Sequence, residues 1–193
     1  MDTWIFPLHF IDFETSTVAL PFTKGRKPYE QVAFQFSHHV YHEDGRVDHM
    51  TEYINDNPGE FPNFKFAEAL KRALENDNGT IFRFADHENS IINAIIKQMN
   101  DDPGTADERL IIFLKSISHS SKNSVEKWEG ERDMVDLRKV ILNYYYNPLT
   151  KGSNSLKYVL PAILNTSKFL KTKYSQPLAE INVSSKNFSN DQI

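Results

Sequence analysis

The stretch Leu8-His9-Phe10-Ile11-Asp12-Phe13-Glu14-Thr15 decides the fold class. A run rich in Phe and Ile that ends in two carboxylates is typical of a buried strand with acidic side chains at its C-terminal end. Side chains alternate between the two faces of a strand, so Asp12 and Glu14 project to one side and Phe13 to the other. The sequence therefore predicts a pair of carboxylates at the end of an N-terminal strand.

This pair suggests a metal site. Two carboxylates about 7 Å apart along a strand repel each other, and a partly buried site must offset that repulsion. A divalent cation does so, because Mg²⁺ prefers carboxylate oxygens and keeps water or substrate phosphates in its other positions. An acidic strand end that simply faces solvent is the commoner explanation of an Asp-x-Glu pair. The metal interpretation therefore depends on further acids brought to the same place.

Composition limits the class of protein. The chain has 193 residues, a net charge of −4 and no Cys, so we expect one cytoplasmic domain without disulfides or thiolate zinc sites. No segment approaches the ~20 apolar residues of a membrane span, and the first residues do not form a signal-peptide pattern. The negative charge argues against a wholly basic nucleic-acid surface but permits a nuclease whose metal ions reverse the local sign.

Hydrophobic periodicity predicts an α/β fold with a mixed sheet flanked by helices. A second strand from Gln31 to Tyr41, with Val32, Phe34 and Phe36 on one face, forms a hairpin with a third from Val47 to Ile54. Helices are expected at residues 63–76, from about 87 to 101, at 107–117, from 133–137 to 147, and from 155 to about 164, with a short strand at 80–84.

Local signals place some boundaries of these elements. Asn63 is the expected cap of the first helix, and Gly79 its stop signal. From Lys168 on the chain is polar, carries Pro177 and shows no clear period, which predicts an irregular tail. We therefore expect a domain over residues 1–167 and a tail over residues 168–193, the start of a truncated region.

Further acids stand where a strand meets a helix. Asp86 and Glu88 follow the strand at residues 80–84 and open the next helix, where the helix dipole favours carboxylates. Glu88, one turn in, can point back over the sheet edge where Asp12 and Glu14 emerge. Asp136 has a comparable place at a later helix. Helix capping explains Asp86 and Asp136 equally well.

Basic residues near these acids are candidates for contacting substrate phosphates, although a merely solvated basic loop explains those between the first two strands at least as well. That loop is long, and long ordered loops often carry function. The candidate substrate-binding residues are Lys24, Arg26, Lys27, Lys151 and Lys157.

A set of short motifs gives the chain a resemblance. The motifs are Phe10-Ile11-Asp12-Phe13-Glu14-Thr15, Ala19-Leu20-Pro21, Pro28-Tyr29-Glu30-Gln31, Phe34-Gln35-Phe36-Ser37-His38-His39, His87-Glu88-Asn89 and Gly152-Ser153-Asn154-Ser155-Leu156-Lys157-Tyr158-Val159-Leu160-Pro161. With them the chain resembles a bacterial domain-of-unknown-function family that is itself similar to the DEDD 3′-to-5′ exonucleases of the ribonuclease H-like superfamily. The resemblance runs from about Leu8 to the C-terminus.

The resemblance implies a role for each acid. Asp12 and Glu14 match the first exonuclease motif and would bind Mg²⁺ or Mn²⁺ in a two-metal site. Glu88 falls where the second motif has an Asp and would be a further catalytic metal ligand. Asp136 matches an aspartate near the catalytic site of related enzymes. The implied substrate is a single-stranded end of DNA or RNA, cut by hydrolysis of phosphodiester bonds.

The last exonuclease motif is not matched. These enzymes need a final Asp four or five residues after a Tyr or His on the last helix, and Asp191 has neither residue at that spacing. We therefore expect a fragment that lacks the last helix in a missing C-terminal segment and has little activity alone.

An alternative from another class is a non-catalytic nucleic-acid-binding or protein-interaction module on the same fold. The residues that could stack on bases are His38, His39, His42, His49, Tyr144, Tyr145 and Tyr146. A zinc site built from the four histidines has little support, because neighbours such as His38 and His39 face opposite sides of a strand.

Overall fold

The computed structural model describes residues 3–102, 104 and 107–175 and has an α/β fold with a five-stranded mixed sheet. The strands are β1 (Leu8–Ser16), β2 (Val32–Tyr41), β3 (Val47–Ile54), β4 (Ile81–Arg83) and β5 (Val135–Asp136). The helices are α1 (Asn63–Leu74), α2 (His87–Asp101), α3 (Glu108–Ser116), α4 (Leu137–Tyr144), α5 (Leu156–Thr166) and α6 (Lys168–Tyr174), and Pro148–Thr150 is a short 3-10 helix.

The sheet has the strand order β3-β2-β1-β4-β5. β1 is antiparallel to β2, and β2 to β3, which confirms the predicted hairpin. β4 is parallel to β1 and to β5, so the C-terminal ends of these strands meet at one edge of the sheet. That edge is where open α/β sheets bind their ligands. Asp12 and Glu14 lie in the last half of β1, next to it.

The core lies on one face of the sheet, under α1, α2 and α3. The ring of Phe66 on α1 makes edge contacts with Phe13 of β1 and Phe36 of β2, with centroids 4.9 and 5.4 Å apart. Such perpendicular aromatic pairs stabilise beyond their buried area. Because Phe13 is buried, its neighbours Asp12 and Glu14 lie on the opposite face of β1 and are exposed, as the alternation predicts.

A bulge changes the predicted faces of β2. The pairing of β1 with β2 skips Phe34, so one extra residue stands in β2 and reverses the alternation there. Ala33 and Phe36 both enter the core, whereas Val32 and Phe34 are only half-buried. The predicted apolar face of Val32, Phe34 and Phe36 is therefore wrong, since of these three only Phe36 belongs to the core.

Asn63 does not cap α1 as the sequence predicts. The capping position is occupied by Pro62, and no side-chain capping bond is present. Asn63 is buried, and its Oδ1 accepts from Ala33 N (2.8 Å) while its Nδ2 donates to Gln31 O (2.9 Å) and Gln98 Oε1 (2.6 Å). The amide thus satisfies the start of β2 and links it to α2. The Asn63 side chain therefore makes tertiary hydrogen bonds instead of a local capping bond.

The C-terminal part departs from the sequence prediction in two places. Residues 133–137 do not enter a helix directly, because Val135–Asp136 first pairs with β4 as β5. Lys168–Tyr174 is a helix rather than part of an irregular tail, and the Ser167 side chain caps it by accepting from Leu170 N. The rest of the predicted tail, with Pro177 and Asp191, lies outside the described residues.

The chain divides into two compact units, Met1–Leu137 and Arg138–Ile193. The first contains the whole sheet and the core, and the second contains most of α4 together with α5 and α6. The boundary predicted at residues 167 and 168 stays a prediction. Among the residues that the structure describes, no helix is both long and apolar enough to cross a membrane.

Candidate functional site

The end of β1 lies beside the first turn of α2. The hydroxyl of Thr15 is 3.2 Å from Nε2 of His87, the first residue of α2. Asp12 and Glu14 precede Thr15 in the strand, and Glu88 follows His87 in the helix. The fold therefore brings the acid pair and Glu88, which are more than 70 residues apart in sequence, to the same edge of the sheet.

Asp12 and Glu14 face solvent on the side of the sheet away from the core. Their partners in β2 are Ser37 and Gln35, whose side chains share this face. Small and polar neighbours leave both carboxylates open to solution. The pair is thus accessible to an ion or a substrate.

Glu88 is nearly buried, with 3% of its surface exposed, and its Oε2 has no hydrogen-bond partner. Burial raises the pKa of its carboxyl to about 7, and the negative charges of Asp12 and Asp136 act in the same direction. Its own backbone N–H and the Arg83 guanidinium oppose this rise in the pKa. The charge of Asp12 therefore acts on the Glu88 carboxyl group, and Oε2 of this group is buried without a hydrogen-bond donor.

Asp136 lies at the end of β5 and is buried. Its Oδ1 accepts a hydrogen bond from Ala85 N at 3.0 Å, and its Oδ2 is 3.8 Å from Nη1 of Arg83. Ala85 has a φ of +69°, the left-handed conformation that is costly for a residue with a side chain. The carboxylate of Asp136 thus stabilises the strained turn that leads from β4 into α2, the helix that carries Glu88.

Arg83 is a site residue that the sequence reasoning missed. It is buried, and its Nη1 donates to Ala85 O and, at 3.0 Å, to Asp86 Oδ1. Asp86 stands at the capping position of α2 without making a side-chain capping bond, so the capping explanation of Asp86 is wrong. An Arg inside the apolar run Ile81-Phe82-Arg83-Phe84 was the available signal, because a buried guanidinium requires nearby acceptors.

The described residues contain no group of three His, Asp or Glu side chains arranged to hold a metal ion. Asp12, Glu14 and Glu88 share an edge without forming a closed set of ligands. The arrangement of the histidines does not suit the zinc site considered for His38, His39, His42 and His49. His38 is buried and bonded to His9 and Thr51, while His39 is exposed and stacks on His49 with ring centroids 4.5 Å apart.

The stacking candidates of the alternative interpretation differ in exposure. His38 is buried and has no face to offer to a base. His42 is half-buried, with its Nε2 2.8 Å from Asp48 Oδ2. Tyr144 and Tyr146 are well exposed in the second unit.

The candidate substrate-binding cations fall into two groups. Arg26 is already engaged, since its Nη1 is 3.4 Å from Glu30 Oε1 and its guanidinium lies over the ring of Phe61. Lys24 and Lys27 are exposed on the same loop, with Lys27 Nζ 3.9 Å from an Asp101 oxygen. The remaining candidates, Lys151 and Lys157, are exposed in the second unit.

Comparison with known proteins identifies a family for this chain. The model of a family described as a domain of unknown function (DUF2779) matches residues 9–155. The chain belongs to this family. The DUF2779 match begins in β1, ends at the residue before α5, and includes Asp12, Glu14, Glu88 and Asp136. No curated protein and no solved structure matches the chain.

Proposed function

We propose that this DUF2779 domain is a metal-dependent, exonuclease-like domain of ribonuclease H-like fold that acts on phosphodiester bonds of DNA or RNA from the 3′ end. The observation that carries the proposal is that Oε2 of Glu88 is buried without a hydrogen-bond partner at the edge where parallel strands end. Burial and, to a smaller extent, the negative charge of Asp12 raise the pKa of this carboxyl. The five-stranded mixed sheet with helices packed on it supports the proposed fold.

The chemistry of the site suits a hard divalent cation. A cation next to Glu88 would supply the missing partner of Oε2 and offset the repulsion from Asp12. Asp12 and Glu14 offer further carboxylate oxygens from the exposed face of β1. Asp136 suits the ligand role less well, because its oxygens already contact Ala85 and Arg83. Asp136 is better assigned as a positioning residue.

Mg²⁺ or Mn²⁺ bound here would polarise a phosphodiester and lower the pKa of an attacking water. The chain's own residues would hold the reactants. Asp12 and Glu14 would bind the metal from the strand, and Glu88 would contribute a carboxyl group that can lose its proton near neutral pH. Arg83 and Asp136 keep the turn before α2 in place, so that Glu88 stays directed at the strand end. The substrate in this proposal is a single-stranded end.

Mn²⁺ binding by the full chain tests the proposal. We expect Asp12→Asn to weaken Mn²⁺ binding at least tenfold in a calorimetric titration, because a charged oxygen ligand is lost. Glu68→Gln is the control, since Glu68 is an exposed acid on α1 that belongs to neither the acid pair nor the cavity, and we expect the Mn²⁺ affinity of this variant to equal that of the wild type. Equal affinity in Asp12→Asn and the wild type contradicts the proposal.

Hydrolysis is a separate readout of the same proposal. We expect little Mn²⁺-dependent shortening of a 5′-labelled single-stranded oligonucleotide by this chain alone, because the last exonuclease motif is unmatched. Rapid shortening that disappears in Asp12→Asn would show that the chain is fully active, and the expectation of low activity would then be wrong.

A second candidate function is a binding module without turnover. It is favoured by the described residues having no three-ligand metal group and by the contact of Asp136 with Arg83. In that case oligonucleotide binding should persist in EDTA, and Asp12→Asn should leave Mn²⁺ affinity unchanged. The titration above therefore separates the two candidates.

A further inference from the structure

A cavity of about 570 Å³ opens beside the end of β1. Its walls come from the loop between β1 and β2, from the first residues of β2, and from the loop between β3 and α1. Ser16, the last residue of β1, lines the cavity two positions beyond Glu14. The cavity therefore lies at the end of the strand that carries the carboxylate pair, and its volume is within the range of sites that bind small organic groups.

One wall of the cavity is a flat platform of fixed geometry. The guanidinium carbon of Arg26 lies 3.5 Å from the centroid of the Phe61 ring, a stacked cation-π arrangement. Glu30 holds this arrangement, because its Oε1 contacts Arg26 at 3.4 Å while its Oε2 accepts from Lys27 N at 3.1 Å. Phe34 adds a further apolar surface to the wall.

The rim of the cavity exposes an aromatic ring to solvent. Phe22 lines the cavity and is 70% exposed, which leaves most of its ring free to stack. The side chain of Lys27 is 80% exposed on the same loop. The loop between β3 and α1 adds Asn55 and Asn57 to the lining. Their Nδ2 atoms contact Glu60 Oε2 at 3.4 and 3.2 Å, and the Asn57 amide has a second N–H that can hydrogen-bond a polar ring edge.

The charges of the lining favour a neutral ring over an anion inside the cavity. Arg26 is paired with Glu30 in the lining, and Glu60 of the lining is paired with Lys65 of α1, so these charges are balanced. Asp56 adds a negative charge to the lining. A flat aromatic group with hydrogen-bonding edges fits these walls, whereas a phosphate would meet balanced or negative charge. The exposed Lys27 at the rim is the better place for a phosphate.

We propose that this cavity binds the 3′-terminal nucleoside of a single-stranded nucleic acid. The base stacks between Phe22 and the Arg26–Phe61 platform, and the sugar-phosphate backbone leaves the cavity along the end of β1 toward Glu14. Lys27 contacts the terminal phosphodiester from the rim. This assignment rests on the proposed function, and it names the place where that function would hold its substrate end.

Fluorescence of 2-aminopurine at the 3′ end of a single-stranded heptanucleotide tests the assignment, with the full chain in EDTA. We expect a saturable fluorescence change with this probe and none with a probe labelled at the 5′ end. Base stacking on one aromatic ring is worth about 1–3 kcal/mol, so Phe22→Ala should weaken binding about tenfold. Phe169→Ala is the matched control, since Phe169 is 71% exposed in the second unit, and it should leave binding unchanged.

Three outcomes overturn the assignment: no saturable change with the 3′ probe, an equal change with the 5′ probe, or equal affinity of Phe22→Ala and the wild type. The experiment is independent of the metal titration, because EDTA removes divalent ions. A specific 3′ response together with Mn²⁺ affinity unchanged in Asp12→Asn keeps the cavity's role and rejects the nuclease. The opposite pair of results keeps the nuclease and rejects the cavity.

Discussion

Glu88 and His38 are ionisable side chains that the fold removes from water. Burial disfavours the charged form of both groups, but because one is an acid and the other a base, their pKa values move in opposite directions. The two residues therefore make opposite contributions to the pH dependence of stability. Each contribution can be isolated by a substitution that keeps the size and polarity of the side chain.

Glu88→Gln should raise stability at alkaline pH. Burial raises the pKa of Glu88 from 4.5 to about 7, so the unfolded chain gives up this proton first, and stability falls as pH rises through that window. Gln carries no proton to lose. We expect the variant to exceed the wild type by about 1–3 kcal/mol at pH 8 and to match it at pH 4. Urea unfolding at both pH values measures this.

The exposed Glu68 on α1 gives a control for this prediction, because Glu68→Gln should shift the unfolding free energy by less than about 0.5 kcal/mol at either pH. A Glu88→Gln chain that is less stable than the wild type at pH 8 would show that the negative form of Glu88 stabilises the fold.

His38→Gln should reduce the loss of stability in acid. Asp77, His9, His38 and Thr51 form a chain of hydrogen bonds, in which His9 Nδ1 is 2.8 Å from His38 Nε2. Burial lowers the pKa of His38 from 6.5 to about 4, so the unfolded chain binds this proton first, and stability declines as pH falls through that window.

Between pH 7 and pH 5, the free energy of unfolding should fall by about 2 kcal/mol more in the wild type than in His38→Gln. Guanidinium unfolding at the two pH values measures the difference. Asn78→Gln is the control, because Asn78 is exposed and an amide side chain does not titrate between these pH values, so the variant should keep the wild-type slope. Parallel slopes for His38→Gln and the wild type would mean that His38 binds its proton equally well in the folded and the unfolded chain, which would contradict the prediction.

At the scale of elements, the connection from α1 to β4 depends on close backbone packing. The sequence suggests that Gly79 stops α1, but the helix already ends at Leu74. A Cβ at Gly79 would lie 2.0 Å from Pro7 O and 2.7 Å from His9 Nε2. Gly79 is therefore needed because β1 passes over it, and Arg132 binds its carbonyl from the other side at 2.9 Å.

Gly79→Ala should destabilise the chain by about 3 kcal/mol, since the backbone of Pro7, just before β1, must move to admit the methyl group. Gly104→Ala is the control, because its Cβ would meet only Asp102 Oδ1 at an ordinary 3.6 Å, and we expect a change below about 0.5 kcal/mol. Thermal unfolding of both variants measures the difference. Equal melting temperatures would contradict the close approach of Pro7.

At the scale of the whole molecule, the hydrophobic cluster under α1, α2 and α3 lies within the first unit. The last residue of this cluster along the chain is Met134, just before β5, and α4 ends at Tyr144. We expect a chain shortened to residues 1–144 to unfold in one cooperative urea transition, followed by tryptophan fluorescence, because the sheet and its covering helices are retained. A gradual, non-cooperative change would contradict this.

A chain shortened to residues 1–132 is the counterpart to that experiment. It loses Met134 from the core and the whole of β5, the partner of β4. The turn before α2 then also loses the Asp136 carboxylate that accepts from Ala85 N. We expect this shorter chain to lose the cooperative transition that residues 1–144 keep.

The sequence by itself determined the elements with strong local patterns. Period-two alternation is a property of neighbouring residues, so β1 and β3, and the common face of Asp12 and Glu14, follow without knowledge of the fold. The helical period likewise predicted α1, α2 and α3. It also indicated that Glu88 opens α2 close to the edge where β1 ends.

Only the tertiary structure decided the rest. The bulge at Phe34, the pairing of β5 with β4, the bridging role of Asn63 and the burial of Glu88 beside Arg83 each depend on partners distant in sequence. Hydrogen bonds and desolvation act between groups that are close in space, whatever their separation along the chain. Tertiary structure therefore overrides local propensity wherever a buried polar group forms its hydrogen bonds with residues distant in sequence.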